Sequence, residues 1–546
     1  MTHDAPLAIS GWRRPFERWL DGIEPGWAIP LLLVAFILIW TIFFVIAYWG
    51  GDLHPDVLEA WSVGRTLGWG FGKHPPLMGW ITHFWFLLFP IADWSFYLLE
   101  MVNAAVALWA IDLITRRFAR GDKRVVVLLL LMLLPAYQFH AQRFNANTVL
   151  LAVWPLATYC FLRSFETRSV LWSIATGVLC ALAMLGKYYS AFLIAAFLIA
   201  AFMLAAIADP RRREYFASWA PWTSAITGTV VLGPHLHWLA TTGALPIKYA
   251  MEAHSGWAFW PAMWEVWMFF VGIAAYLIFP TAAFLLMIRK DLRLFARDIA
   301  NLDQNLKLLM LIFAGTIILP AIAAIVMVSD LPPLWNLQGL FFVVIVAVCC
   351  TTFAIERFDT VNVSIVVIAI GMGAIIAAPM YAIYRNTHPF DLRRNYLSVA
   401  ANELTKRWDE LYDLPLKRIS GSDDLAFATA FYSPQHPIYS RPFHLQDLWP
   451  IPTRVLKKGW AAMCFADDPE CMSWLAKVEP TAKQARRIEF EVERTLWGQP
   501  SPKAKIAALL VFPQAGPAMD PQLQLHDDRP DNFNASRNDR PEAVIR

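Results

Sequence analysis

Seven ionisable side chains lie close together just after the first long apolar run of this chain. They belong to the segment GDLHPDVLEAWSVGRTLGWGFGKHPPL, residues 51–77, and are Asp52, His54, Asp56, Glu59, Arg65, Lys73 and His74. Charged groups beside a bilayer are costly unless a watery cavity or a charged substrate compensates them. A carboxylate can serve as a general base, and cations can stabilise a negative charge that develops during a reaction.

The local pattern predicts how these groups are presented. Pro55 suits the first turn of a helix, so we expect a short helix over about 55–67, with Asp56 and Glu59 on one face. The glycine-rich break at 68–72 then delivers a Lys-His-Pro-Pro turn. In a second interpretation Asp56 only complements the helix dipole and His74 is only a turn residue. Spacing alone does not decide between the two.

Residues 51–77 resemble the first outer loop of the family 39 branch of the GT-C glycosyltransferases. This branch is dolichyl-phosphate-mannose-protein mannosyltransferase-like and is related to the lipid A aminoarabinose and galacturonic acid transferases. In it, an Asp-Glu pair opens a short aromatic helix and a Gly-aromatic-x-(His/Lys)-Pro-Pro turn closes the loop. By this resemblance Asp56 is the catalytic Asp, Trp61 an expected aromatic residue, and 70–76 the closing turn. Val57 stands in place of the second acid, for which Glu59 is the candidate substitute.

The composition places the chain in the membrane class. It has 546 residues, 58% of them hydrophobic, with 26 Trp and a mean hydropathy of +0.44, which is too apolar for a soluble protein of this length. The net charge of +3 gives no nucleic-acid footprint, so membrane lipids rather than nucleic acid are the expected surroundings. The sequence contains no Walker loop, dinucleotide fingerprint or CxxC metal motif.

Eleven apolar runs predict a mainly α, polytopic membrane protein of about eleven transmembrane helices, GT-C-like, with a small outer α/β domain at the C-terminus. The runs are 28–49, 97–115, 125–140, 147–162, 172–186, 188–208, 219–241, 264–288, 308–328, 338–355 and 364–384. The predicted division is a cytoplasmic segment 1–27, a transmembrane catalytic domain 28–384 with an outer loop 50–96, a soluble periplasmic domain 385–512, and a disordered tail 513–546.

The distribution of cations predicts the orientation. Loops assigned to the inside hold 19 Lys and Arg residues, whereas those assigned to the outside hold five. Positively charged loops stay in the cytoplasm, so the N-terminus is predicted to be cytoplasmic and Asp56 to lie outside. The five outside cations are Arg65, Lys73, Arg143, Lys187 and Lys248.

Three further segments carry candidate substrate contacts. At the second outer turn, where the resembled family has Thr-Pro-Asp, this chain has Asn145-Ala146-Asn147, which also suits helix N-caps. LGKYYSAFL places Lys187 and Tyr188 in a position similar to a Gly/Ser-Lys-Tyr motif of the family, although a lysine at a helix end also snorkels to headgroups. The Trp-rich loop near 245–264 adds Lys248 and Glu252, and the last outer loop adds Asp330, Trp335 and Asn336.

The polar C-terminal part is expected to fold as a small domain. A helix is predicted near 391–412, and strands are predicted at 425–432, 460–466 and 506–512. Cys464 and Cys471 lie here, where a disulfide is expected if this part faces an oxidising compartment. The other four cysteines fall in apolar runs and are expected to pack as small core residues.

The resemblance implies an inverting glycosyltransferase whose donor is a polyprenyl-phosphate-linked sugar and whose acceptor is an envelope lipid or glycan. Asp56 would be the base. Contacts to substrate are expected from Glu59, Trp61, Arg65, Lys73, His74, Asn147, Lys187, Tyr188, Lys248 and Glu252. No metal ligands are assigned, because Val57 and Asn147 replace acids, and whether a divalent cation takes part stays open. A lipid-linked sugar transporter or flippase and a non-catalytic envelope scaffold are the alternatives.

Overall fold

The computed structural model describes residues 11–71, 73–187, 194–244, 246–247, 258–388, 393–442, 459–482 and 484–513. These residues are mainly helical, with a small sheet near the C-terminus, so the predicted fold class is confirmed. The helices of the N-terminal part are α1 (Arg14–Asp21), α2 (Ala28–Ala47), α3 (Pro55–Gly64), α4 (Leu77–Phe86), α5 (Asp93–Thr115), α6 (Asp122–Leu131), α7 (Leu150–Thr167), α8 (Val170–Met184), α9 (Ile194–Ala208), α10 (Arg212–Phe216), α11 (Ala220–Thr241), α12 (Phe259–Tyr276), α13 (Ile278–Met287), α14 (Leu292–Ala300), α15 (Gln304–Met327), α16 (Phe341–Cys349) and α17 (Arg357–Thr387).

The chain is a multi-pass membrane protein. Within the described residues, α2, α5, α15 and α17 are long and apolar enough to cross a membrane, and α12 and α13, bent by 42° at their junction, would form a fifth span together. The predicted number of about eleven spans therefore stays a prediction. The run predicted at 125–140 ends as a helix at Leu131, because Pro135 cannot donate a backbone hydrogen bond and instead begins a short 3-10 turn.

The membrane helices pack around one continuous apolar core. α2 lies against α5 and α17, α5 against α7, α7 against α8, and α8 against α11. Small residues permit the last contact, since a Cβ at Gly177 would come within 2.4 Å of the Ser224 carbonyl oxygen. Close backbone approach at small residues is a common way for membrane helices to associate. The loops between these packed helices carry the polar residues that the sequence predicts as a site.

The C-terminal domain combines three helices with a mixed sheet. Its elements are α18 (Leu397–Leu411), β1 (Arg418–Gly421), α19 (Asp423–Tyr432), β2 (Ile438–Pro442), β3 (Trp460–Phe465), α20 (Pro469–Val478), β4 (Ala485–Val492), β5 (Thr495–Leu496), β6 (Gln499–Pro500) and β7 (Ala504–Val511). The five-stranded sheet has the order β2-β1-β3-β7-β4; β1 pairs in parallel with β2 and β3, whereas β7 pairs antiparallel with β3 and β4. β5 and β6 form a separate hairpin.

Two of the three predicted strands of this domain are observed, as β3 and β7, and the predicted helix near 391–412 is α18. The prediction of a strand at 425–432 is wrong, because these residues form most of helix α19. Alanine has the strongest helix propensity, and Asp423 and Asp424 in the first turn favour the positive end of the helix dipole. Cys464 and Cys471 form the expected disulfide. The tail beyond residue 513 lies outside the described residues.

Candidate functional site

Asp56 lies in the first turn of α3, as the sequence predicts. Pro55 occupies the first helical position, and the Nδ1 atom of His54 accepts a hydrogen bond from the Asp56 amide at 3.2 Å, which caps the helix. The helix ends at Gly64, three residues earlier than expected, and packs on α4, where a Cβ at Gly64 would meet the Thr82 hydroxyl at 2.2 Å. The Asp56 side chain is 45% exposed, so its carboxylate is accessible to a ligand.

Asn145 holds the Asp56 carboxylate from a second connection. Its Nδ2 donates to Asp56 Oδ2 at 2.9 Å, while its Oδ1 accepts from the amides of Asn147 and Thr148 at 2.8 and 3.1 Å. Asn145 is thus both a turn cap and a partner of Asp56. Asn103 on α5 fixes the same turn by donating to the Thr148 carbonyl oxygen at 2.8 Å.

The electrostatics keep Asp56 ionised. The protein groups around Asp56 displace part of its water although its side chain stays accessible, and this desolvation raises its pKa. The His54 ring, the hydrogen bond from Asn145, and the nearby His74 and Arg143 lower it, and the net pKa lies below the usual value. A carboxylate that is charged at neutral pH can accept a proton or bind a hydroxyl group. It is the accessible carboxylate of this loop.

Glu59 and His74 lie next to each other in the same loop as Asp56. The His74 Nε2 and Glu59 Oε2 atoms are 3.8 Å apart, and the Glu59 side chain is 13% exposed. Burial raises the pKa of Glu59 to about 7, although Lys73 opposes this. Burial, together with Lys73 and Lys187, lowers the pKa of His74 to about 3. His74 is therefore a neutral hydrogen-bonding group at pH 7.

Lys187 lies between Asn147 and the ring of Trp335. Its Nζ donates to Asn147 Oδ1 at 2.6 Å and lies 4.5 Å from the centre of the Trp335 ring, which comes from the 3-10 turn Pro333–Gly339. The residue is 9% exposed. Burial lowers the pKa of Lys187 to about 7, while Asp56 and Asp330 oppose the shift. The structure thus brings Asn147, Lys187 and the last polar loop together.

Three other predicted site residues contact the C-terminal domain. Lys73 Nζ donates to Asp423 Oδ2 at 2.6 Å, and Arg65 donates to the carbonyl oxygen of His436 at 2.8 Å. Trp61 packs edge-on against Phe431, with ring centres 5.3 Å apart. α19 therefore covers α3, and these side chains join the two parts of the molecule.

The closing turn is fixed from the membrane side. The Phe71 amide donates to the His74 carbonyl oxygen at 3.1 Å. His235 Nδ1 lies 2.6 Å from the Trp69 carbonyl oxygen, so this histidine supports the loop. A Cβ at Gly70 would come within 2.3 Å of the Trp238 ring. This turn therefore needs a residue without a side chain at position 70.

Some expectations fall outside the described residues, namely the placement of Tyr188, Lys248 and Glu252. Across the part of the chain that is described, no group of three or more His, Cys, Asp or Glu side chains could hold a metal ion.

Three residues near Asp56 were not predicted as site residues. Asn145 was visible beside Asn147, but its amide contact to Asp56 spans 89 positions. Arg143 lowers the pKa of Asp56 and has a buried Nε without a hydrogen-bond partner among the described residues. Asp424, at the start of α19, has a pKa that burial, Asp423 and Asp56 raise to about 7. Only the fold brings α19 to this place.

The arrangement joins an accessible carboxylate to hydrogen-bond donors and a lysine at the end of a membrane helix. Asp56 can accept a proton, while the Lys187 ammonium and the neutral His74 ring can donate hydrogen bonds to an anion. A general base together with groups that bind an anion is suited to a group transfer with a negatively charged leaving group.

Comparisons with known proteins bear on the fold. Residues 73–238 match the family profile described as "Dolichyl-phosphate-mannose-protein mannosyltransferase"; this region begins after Asp56. Crystal structures of ArnT from Cupriavidus metallidurans share the fold. The form bound to undecaprenyl phosphate aligns with a TM-score of 0.53 and 13% identity over 88% of this chain and 98% of that chain. For the apo form these values are 0.54, 12%, 89% and 98%. No curated protein sequence matches the chain. The predicted resemblance to the GT-C glycosyltransferases is confirmed, and the chain has their fold.

Proposed function

We propose that this protein is an inverting glycosyltransferase that moves a sugar from a polyprenyl-phosphate donor to an envelope lipid or glycan. The observation that carries the proposal is the Asp56 carboxylate, which is accessible, ionised and held at 2.9 Å by Asn145 in a loop beside the membrane helices. ArnT, which has the same fold, binds undecaprenyl phosphate, and this supports a polyprenyl-phosphate donor here.

In the proposed reaction Asp56 takes the proton of the acceptor hydroxyl as its oxygen attacks the anomeric carbon of the donor sugar. The bond from that carbon to the phosphate oxygen breaks, and the polyprenyl phosphate leaves with the bonding electrons. Direct displacement on the opposite face inverts the anomeric configuration. The base gains one proton and the leaving phosphate gains one negative charge, so the charge moves across the site.

Lys187 is the proposed contact of the phosphate. Its pKa of about 7 means that a bound phosphate would favour the charged ammonium, since an adjacent opposite charge raises the pKa of a lysine. His74, held neutral by burial, would donate a hydrogen bond. Glu59, Trp61, Arg65, Lys73, Asn147, Tyr188, Lys248 and Glu252 complete the proposed set of substrate-binding or supporting residues.

The proposed location is the bacterial inner membrane, with the N-terminus in the cytoplasm and the site and C-terminal domain on the periplasmic side. Two observations support it. One set of alternate loops holds 19 Lys and Arg residues and the other set holds five, and the loops with more positive charge stay in the cytoplasm. The Cys464–Cys471 disulfide in the C-terminal domain is of a kind that persists in oxidising compartments. The division at residues 27, 384 and 512 is proposed with it.

Transfer from radiolabelled polyprenyl-phosphate sugars into envelope lipids and glycans tests the function. Asp56→Asn should abolish transfer while binding of undecaprenyl phosphate persists, and Asp413→Asn, a change at an exposed position of the C-terminal domain, should leave both unchanged. Equal transfer by wild type and Asp56→Asn would refute the role of Asp56. Absence of transfer by the wild type across a broad donor panel would favour a transporter, flippase or scaffold.

A further inference from the structure

The C-terminal domain is bonded to the Asp56 loop at several separate points. Asp52, 2% exposed, forms an ion pair with Arg494 at 2.5 Å, and the Leu53 amide donates to the Tyr432 hydroxyl at 2.9 Å. Arg65 and Lys73 add the contacts to the His436 carbonyl oxygen and to Asp423. The domain therefore contacts the loop on both sides of Asp56 and Glu59.

The contact between Lys73 and Asp423 is the one closest in sequence to His74. Both side chains are largely buried, and the second carboxylate oxygen of Asp423 accepts a hydrogen bond from the Tyr439 hydroxyl at 3.0 Å. Tyr439 stacks on Phe427 with ring centres 4.1 Å apart, which fixes it in turn. A charge held by a rigid partner has a defined position, whereas a free lysine samples many rotamers.

We propose that Asp423 is a positioning residue for sugar transfer, which fixes Lys73 and with it the turn that presents His74 to Glu59 and the reaction site. This inference rests on the proposed function. In this arrangement the C-terminal domain is a part of the active site. Lys73, which the sequence suggested as a substrate contact, acts through its place in the turn.

The charges around Glu59 include both partners of this ion pair. Lys73 is the main group that opposes the burial-driven rise in the pKa of Glu59, whereas Asp423 adds to that rise. Neutralising Asp423 removes the raising charge and also releases the lowering one, so the two effects on the pKa of Glu59 oppose each other. The positioning role is therefore tested by the transfer rate, by its recovery with a longer carboxylate, and by the mobility of the turn.

Three variants of the full-length protein test the proposal: Asp423→Asn, Asp423→Glu and the control Asp467→Asn. Asp467 lies in the same domain and pairs with Arg393 at 2.6 Å, but it is well exposed. We expect Asp423→Asn to lower kcat by at least about tenfold with KM for the donor little changed. Asp423→Glu should recover most of the rate, and Asp467→Asn should match the wild type.

A second readout does not depend on activity. Amide hydrogen exchange of residues 65–80, which include the Phe71 amide bonded within the turn, should be at least about tenfold faster in Asp423→Asn and unchanged in Asp467→Asn. Unchanged exchange in Asp423→Asn, or an equal loss of kcat in Asp423→Glu, would overturn the proposal. If the wild type transfers no sugar, the proposed function fails, while the exchange rates still decide whether Asp423 positions the turn.

Discussion

The protonation of Glu59 should make the stability of this protein depend on pH. Burial raises the pKa of this carboxyl from an ordinary value of 4.5 to about 7. Between these values the folded protein keeps the proton and the unfolded chain releases it, so the free energy of unfolding falls as the pH rises. At about 1.4 kcal/mol for each pKa unit, the loss between pH 4.5 and pH 7 is about 3 kcal/mol.

Glu59→Gln replaces the carboxyl by a neutral group of the same shape. The variant should match the wild type near pH 4.5 and be more stable above pH 7 by about 3 kcal/mol, or roughly 3 °C in Tm for a chain of this length. Thermal unfolding in detergent, followed by tryptophan fluorescence at several pH values, measures this difference. Glu491→Gln is the control, because Glu491 is about half exposed and pairs loosely with Lys503 and Lys505.

A difference between wild type and Glu59→Gln that is the same at pH 5 and pH 8 would refute the reasoning. So would a variant that is less stable than the wild type at pH 8. Burial lowers the pKa of Lys187 from 10.5 to about 7, so this residue makes stability depend on pH above pH 7. Lys187 is present in both proteins, so its contribution cancels in the difference between wild type and Glu59→Gln.

Three other changes have expected outcomes. Asn145→Ala removes the 2.9 Å hydrogen bond to Asp56, so the pKa of Asp56 should increase and the acidic limb of the pH–rate profile should move up by about one pH unit. If the rate falls but the pH of the acidic limb does not change, Asn145 acts only as a turn cap. Lys187→Met should weaken binding of undecaprenyl phosphate and lower the transfer rate by about a hundredfold. It should also raise Tm at pH 6, because the buried ammonium destabilises the fold below its pKa, and a lower Tm at pH 6 would contradict this. Replacing both Cys464 and Cys471 by Ser should lower the free energy of unfolding of the C-terminal domain by about 2 kcal/mol, and a reductant should then affect the wild type but not the variant.

Local patterns account for the parts of the fold that were predicted correctly. Each of these parts depends on neighbours in sequence or on a simple apolar run. They are the start of α3 at Pro55, helix α2, strands β3 and β7, and the Cys464–Cys471 pair. The run 425–432 failed as a strand because its apolar residues are compatible with either structure, and alanine content and packing on α3 and α18 favoured the helix.

The sequence by itself determined that this chain is a membrane protein and that Asp56, Glu59 and His74 share one short loop, since both follow from composition and spacing. Only the tertiary structure decided their chemical states. Burial left His74 neutral and Glu59 half protonated near pH 7, and Asn145 reached Asp56 from a different connection. The tertiary structure also places Lys73 in contact with Asp423, 350 residues away in sequence. The cost of placing a charge depends on its surroundings in space, and distant parts of the chain supply those surroundings.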